Sequence, residues 1–168
     1  MEIRKAKQTD LPRILEIYAG ARDFMVKTGN PRQWARRSWP PEELIRRDIQ
    51  QGQCHVYSEN NRILAVFYYD FGLDIDITYQ KIEGPGWRFG GPYGVVHRIA
   101  AEQGHGAGRF CLRWAMEQAG NLRIDTHPDN RVMQKLLESL GFQKRGIIHV
   151  AEDNDPRYAY EFGAFAME

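Results

Sequence analysis

The sequence has 168 residues, of which 42% are hydrophobic, 27% charged and 12% aromatic, as is usual for one folded, soluble domain. Its 23 Lys and Arg residues against 22 Asp and Glu give a formal net charge of +1, so no global field favours DNA or an anionic membrane. Two cysteines are too few for a disulfide framework, and no apolar signal segment opens the chain. We therefore expect a single domain spanning 1–168, cytoplasmic, with reduced thiols, no nucleic-acid partner and no membrane association.

Hydrophobic periodicity predicts the elements of the first half of the chain. They are a strand at 2–6, helices from Leu11 to about Gly29 and at 42–49, and strands at 53–58 and 62–69. The last two strands flank the turn at 59–61, which predicts an antiparallel hairpin. The following stretch, 70–92, is rich in Gly, Pro and Asp and is long for a connection inside a domain. We expect it to cross one face of a sheet.

The second half alternates strands and helices. The predicted elements are strands at 93–101, 122–126, 145–150 and 158–162, and helices at 106–119 and 129–140. The strand–helix–strand passage through 93–126 predicts a parallel pair with a right-handed crossover. The chain is therefore expected to form one α/β sheet.

The densest signal is the segment Gln103-Gly104-His105-Gly106-Ala107-Gly108-Arg109, between a predicted strand and a predicted helix. Such a turn collects unpaired backbone N–H groups at a helix N-terminus, where a phosphate fits. The other interpretation is a turn whose glycines only permit tight packing. A dinucleotide fingerprint needs a third glycine where Arg109 or Cys111 stands, and no Gly-Lys-Ser/Thr follows for a nucleoside triphosphate.

The segment resembles the Arg/Gln-x-x-Gly-x-Gly/Ala motif of the GCN5-related N-acetyltransferase (GNAT) superfamily, through Gln103, Gly106 and Gly108. Asn130, followed by Leu136, Gly141 and Phe142, is similar to the family's later helix motif. The predicted order of elements also follows the family. More narrowly, the chain looks like bacterial members of unassigned substrate, in the segments 82–84, 97–100 and 125–130 and at Trp87.

The resemblance implies a GNAT-like fold: a mixed, mostly antiparallel central sheet with a parallel, splayed strand pair and helices on both faces. It also implies acetyl-CoA as the acyl donor and an amine as the acceptor. By the same resemblance, backbone groups of Ile99, Ala100 and Ala101 would contact pantetheine. Residues 103–109 would wrap the pyrophosphate, and Asn130 and Met133 would lie along the coenzyme's other side.

Two features depart from the family's pattern. The segment between Ala101 and Gln103 is shorter than usual, which leaves the strand register open by one or two residues. Leu137 occupies the position where many members have a tyrosine that protonates the leaving thiolate. Either the thiolate leaves unassisted, which we favour, or Tyr158 or Tyr160 supplies the proton.

Acetyl transfer needs a base near neutral pKa to deprotonate the ammonium, which directs attention to the five histidines. Alternation places His97 on the same strand face as Ile99, with Arg98 on the opposite face. Some arylalkylamine-acetylating GNAT members carry a proton-relaying histidine at this position, so His97 is the first candidate base. His127 is the second, and a structural role is the favoured interpretation for it.

Other chemistries have weaker support. Asp70, Asp74 and Asp76 lack the spacing of a calcium loop, and His and Cys never fall at zinc spacing, so no metal is expected. Four aromatic side chains could line an acceptor pocket, although core roles are favoured for each: Trp34, Trp39, Tyr79 and Trp87. The expected acceptor is a small molecule or a peptide, and the protein a monomer or homodimer. The alternative function is a non-catalytic acyl-CoA sensor, suggested by Leu137.

Overall fold

The computed structural model describes residues 1–151 and 153–164. Its seven strands are β1 (Glu2–Lys5), β2 (Cys54–Glu59), β3 (Arg62–Gly72), β4 (Tyr93–Ala101), β5 (Asn121–Thr126), β6 (Gln143–His149) and β7 (Pro156–Gly163). Its four α-helices are α1 (Leu11–Lys27), α2 (Glu42–Gln50), α3 (Ala107–Ala119) and α4 (Arg131–Ser139). These bounds agree with the predicted elements to within about three residues. No helix within the described ranges is long and apolar enough to cross a membrane.

The strands form one mixed sheet in the order β1-β2-β3-β4-β5-β7-β6. The pairs β1–β2, β2–β3, β5–β7 and β6–β7 are antiparallel, and β4–β5 is parallel, with Gly94 opposite Leu122 and Val95 opposite Arg123. The predicted hairpin, the parallel pair and the mostly antiparallel sheet are thus confirmed. Splaying of the parallel pair remains a prediction.

The chain forms two compact units, each discontinuous in sequence. The first consists of residues 1–69 and 97–112, and the second of residues 70–96 and 113–168. Strands β3 and β4 and helix α3 each contribute residues to both units, which explains the discontinuity.

In the first unit, helices pack against both faces of the strands. A buried apolar cluster joins α1 and α2 to one face, and its centre includes Ile14, Ile45 and Val56. Tyr57, the next residue on β2, points to the other face, where its ring lies 4.6 Å from the ring of Phe110 on α3. The alternation of β2 therefore confirms the prediction of helices on both faces.

In the second unit, the segment predicted to be irregular, 70–92, begins with the last residues of β3, and its irregular part, 73–92, lies against one face of β5 and β7. Arg123 and Glu161 are paired across these strands, and both contact this segment. The Arg123 guanidinium lies 4.4 Å from the Trp87 ring centre and 3.9 Å from that of Tyr93. The Glu161 carboxylate accepts the backbone N–H of Arg88 at 2.8 Å. Buried polar contacts thus hold a segment that forms almost no regular structure.

Candidate functional site

In the first unit, β4 runs into an exposed glycine-rich turn that opens α3. Gly104 has φ of +89° and Gly106 has φ of +66°, a region that L side chains rarely adopt. Gln103 to Gly106 are all exposed, and Ala107, the first residue of α3, is buried. The backbone conformation therefore favours glycine at positions 104 and 106, and the turn is exposed to solvent.

The turn presents backbone donors toward solvent. Phe110 N–H donates to the Gly106 carbonyl at 3.2 Å, which makes Gly106 the cap of α3. By helix geometry the first N–H groups of a helix point out of its N-terminal end, and the helix dipole adds positive potential there. A Cβ atom built on Gly104 or on Gly106 would meet nothing within 4 Å, so the space beside the turn is open. These features fit a pyrophosphate.

Glu102 anchors the start of the turn. Its N–H donates to the Leu64 carbonyl at 2.8 Å, and its carboxylate accepts from Arg62 at 2.8 Å and from Arg13 at 3.1 Å. The hydrogen bond from Arg62 is the main cause of the lowered pKa of Glu102. His105 Nε2 lies 3.8 Å from the same carboxylate. The start of the turn is therefore attached to β3 by a backbone hydrogen bond, and to β3 and α1 by ionic contacts.

The strand before the turn contains a backbone irregularity that the sequence did not reveal. Arg98 has φ of +50°, in the left-handed region that few non-glycine residues occupy. Its guanidinium lies 4.6 Å from the ring centre of Tyr68, and the His97 ring lies 5.6 Å from the same ring. The prediction that Arg98 faces away from His97 is therefore wrong, because the positive φ breaks the alternation. The shared face of His97 and Ile99 loses its support for the same reason.

Arg98 is held by a buried carboxylate. Arg98 Nε donates to Asp48 Oδ2 at 2.9 Å, and Arg98 Nη2 donates to Asp48 Oδ1 at 3.0 Å. Burial raises the pKa of Asp48, and the charge of Arg98 opposes that shift. Sequence reasoning missed Asp48, although a signal was present: it lies between Ile45 and Ile49 on the apolar side of α2. An acid on that side predicts a buried cationic partner.

In the second unit, His127 is almost completely buried, with 1% of its surface exposed. Its Nδ1 accepts the backbone N–H of Asp129 at 3.0 Å, and its Nε2 lies 2.9 Å from Asp155 Oδ2. Because Nδ1 accepts, a neutral ring carries its proton on Nε2 and donates it to Asp155. This geometry suits a histidine that fixes the loop after β5. Catalysis by His127 stays a prediction without geometric support.

Asn130 caps α4, with its side-chain oxygen accepting the N–H of Met133 at 3.1 Å. The helix ends at Ser139, and Gly141 beyond it has a φ of +94° that allows a Schellman motif: Gly141 N–H donates to the Glu138 carbonyl and Phe142 N–H to that of Leu137. The family-like residues of this helix thus have clear structural roles. Contact of Asn130 and Met133 with a coenzyme stays a prediction, as it does for Ile99, Ala100, Ala101 and the turn.

Leu137 and the two tyrosines considered in its place all lie in the second unit. The Leu137 side chain is completely buried. Tyr160 is also buried, and burial raises the pKa of its phenol to about 12. Lys144 Nζ lies 3.3 Å from the ring centre of Tyr158.

Several of the remaining candidate side chains make contacts inside the protein that are typical of structural residues. Trp34 is buried and its ring meets that of Tyr18 edge-on at 5.8 Å. Trp87 Nε1 donates to the Tyr79 carbonyl at 2.7 Å, and the Tyr79 hydroxyl donates to Asp125 at 2.6 Å. In residues 1–151 and 153–164, no group of three or more His, Cys, Asp or Glu side chains could hold a metal ion.

Comparison with known proteins identifies the fold. No protein-family model matches the sequence, and no curated protein matches it. An acetyltransferase of the GNAT family from Streptococcus agalactiae is 28% identical, with a TM-score of 0.85 over 95% of this chain and 93% of that one. The fold also matches the ribosomal-protein-S18-alanine N-acetyltransferase from Escherichia coli at 16% identity, with a TM-score of 0.62 over 96% of this chain and 92% of that one.

A third similar structure is yncA from Salmonella typhimurium, solved with its cofactor acetyl-CoA. It is 17% identical, with a TM-score of 0.59 over 97% of this chain and 93% of that one. The architecture and the glycine-rich turn define an acetyltransferase fold. The chain has the fold of the GCN5-related N-acetyltransferases, and it is similar over most of its length to the solved GNAT-family structure from Streptococcus agalactiae.

Proposed function

We propose that the protein transfers an acetyl group from acetyl-CoA to a primary amine, with the turn at 103–109 binding the pyrophosphate and His97 acting as general base. The observation that carries the proposal is the exposed turn that opens α3, within a fold that matches a GNAT acetyltransferase with a TM-score of 0.85. The open space beside Gly104 and Gly106 supports an anion there.

The chemistry assigned to this chain is direct transfer. His97 takes a proton from the acceptor's ammonium, and the neutral amine attacks the thioester carbonyl. The C–N bond forms, the C–S bond breaks, and the electron pair leaves on sulfur. The attacking nitrogen then releases its surplus proton to solvent to give the amide, and the thiolate is protonated from solvent. His97 is half-buried at the point where β4 approaches the turn. The acceptor class remains a small molecule or a peptide.

The competing function is a non-catalytic acyl-CoA sensor. The observation that favours it is Leu137, an aliphatic side chain where many family members have a proton-donating tyrosine. Leu137 is completely buried and has no group that can donate a proton. A sensor would bind the coenzyme at the same turn but would release no thiol.

The test combines calorimetric titration with acetyl-CoA and a thiol-release assay over a panel of small amines and peptides with free amino groups. Acetyl-CoA should bind, and free thiol should appear only when an acceptor is present. Binding without acceptor-dependent release would favour the sensor. Failure to bind acetyl-CoA would remove both functions.

A further inference from the structure

A buried ion pair in the first unit lies next to the proposed base. The side chains of Asp48 and Arg98 are 7% and 14% exposed, and two hydrogen bonds of 2.9 and 3.0 Å join them. Arg–carboxylate pairs with two parallel hydrogen bonds fix orientation as well as charge. The pair is therefore well suited to hold one particular arrangement of β4.

Three elements converge on Arg98 and hold its unusual backbone. Asp48 on α2 holds the guanidinium, and the Tyr68 ring on β3 lies beneath it at 4.6 Å. The Tyr18 hydroxyl on α1 donates to the Arg98 carbonyl at 2.7 Å. A non-glycine residue at φ of +50° is strained, and such a conformation persists only where the surroundings fix it.

The irregularity decides where the neighbouring side chain points. A residue in the left-handed region interrupts the alternation of a strand and redirects the side chains beside it. His97 lies immediately before Arg98, and both side chains contact the Tyr68 ring. We propose that Asp48 is a positioning residue: through Arg98 it maintains the irregularity in β4 that directs the His97 imidazole. The catalytic consequence rests on the proposed function, whereas the geometric one does not.

The variant Asp48→Asn keeps the size of the side chain and removes its charge. Its matched control is Asp10→Asn, because Asp10 forms a second two-bond pair with Arg4, at 2.8 and 3.1 Å, between β1 and the start of α1. If burial of an unpaired Arg98 prevents Asp48→Asn from folding, the double variant Asp48→Asn/Arg98→Gln replaces it. Glutamine leaves no buried charge behind and, unlike glycine, does not favour a positive φ, so this variant lacks the ion pair that maintains the irregularity.

The first measurement needs no activity. The ring-proton resonances of His97, assigned by their loss in His97→Gln, report its position beside the Tyr68 ring. They should shift in Asp48→Asn and in the double variant, and stay in place in Asp10→Asn. Unchanged His97 resonances in a folded Asp48 variant would overturn the inference.

The second measurement separates kcat from binding. With an acceptor from the thiol-release panel, Asp48→Asn should lower kcat by about 100-fold, as expected of a base displaced by about 1 Å. Acetyl-CoA affinity should stay within about threefold, because the backbone donors of the turn are untouched. A proportional loss of coenzyme affinity would show that the pair only supports the binding site, and would overturn the inference. A wild-type protein without turnover would count against the proposed function, while the His97 resonances would still decide the positioning role.

Discussion

At the scale of single residues, His97 carries the proposed chemistry. His97→Gln removes a group that can accept a proton near neutral pH, so kcat/KM should fall by about 10²–10⁴. Acetyl-CoA affinity should stay within a few-fold, and the acidic limb of the pH–rate profile should flatten. Steady-state kinetics across the pH range and calorimetry give these quantities.

The matched control is His149→Gln, because His149 is well exposed on β6. Arg98→Gln is unsuitable as a control, since it breaks the buried pair with Asp48. Near-native turnover with an unchanged acidic limb in His97→Gln would make His97 a structural residue.

The leaving thiolate gives a second prediction at this scale. Tyr160→Phe and Tyr158→Phe should each change kcat by less than about tenfold, because a thiolate is a weak enough base to leave without a positioned acid. Tyr160 is buried and its phenol has a pKa of about 12, so it is a weak acid at neutral pH. Steady-state kcat with saturating acetyl-CoA measures the effect. A fall of two or more decades in either variant, with coenzyme affinity intact, would identify the acid.

At the scale of elements, the start of α3 is the proposed phosphate site. Gly108 lies in the first turn of this helix and does not have a positive φ, so a side chain there is compatible with the backbone. Gly108→Val should abolish the calorimetric signal of acetyl-CoA, because its branched side chain stands among the backbone donors. Gly106 is less suitable, because its φ of +66° makes any side chain there strained.

Gly20→Val is the control for that experiment. Gly20 also lies in a helix, is exposed, and a Cβ atom built on it would meet nothing within 4 Å. This variant therefore places the same branched side chain in a helix away from the turn. Circular dichroism should show both variants folded. Unchanged coenzyme affinity in Gly108→Val would remove the start of α3 from the site.

At the scale of the whole molecule, burial keeps both cysteines unreactive. Cys54 is 3% exposed and Cys111 is 0% exposed, and burial raises the pKa of each thiol to about 12. A disulfide reagent at neutral pH should therefore find no reactive thiol in the native protein, and two after denaturation. Rapid labelling of the native protein would contradict this burial, and it would also add a background to the thiol-release assay.

The sequence by itself determined the order and bounds of the elements and the position of the turn. Hydrophobic periodicity and glycine at helix ends are local signals, so they can be recognised in the sequence without knowledge of the fold. The Schellman end of α4 at Gly141 and the hairpin around 59–61 are examples. Resemblance of the turn and of the Asn130 helix to family motifs was enough to indicate the superfamily.

Only the tertiary structure decided the direction and the surroundings of the His97 side chain, the candidate base. The strand pattern predicted regular alternation through β4, whereas Arg98 adopts a positive φ and is contacted by residues of α1, α2 and β3. Asp48 is 50 residues away from Arg98 in the chain, and no periodicity joins such positions. His127 likewise has its hydrogen-bond partner in Asp155, 28 residues away in the chain. Local patterns fix the backbone's elements, while the surroundings of a side chain depend on residues that only the folded chain brings together.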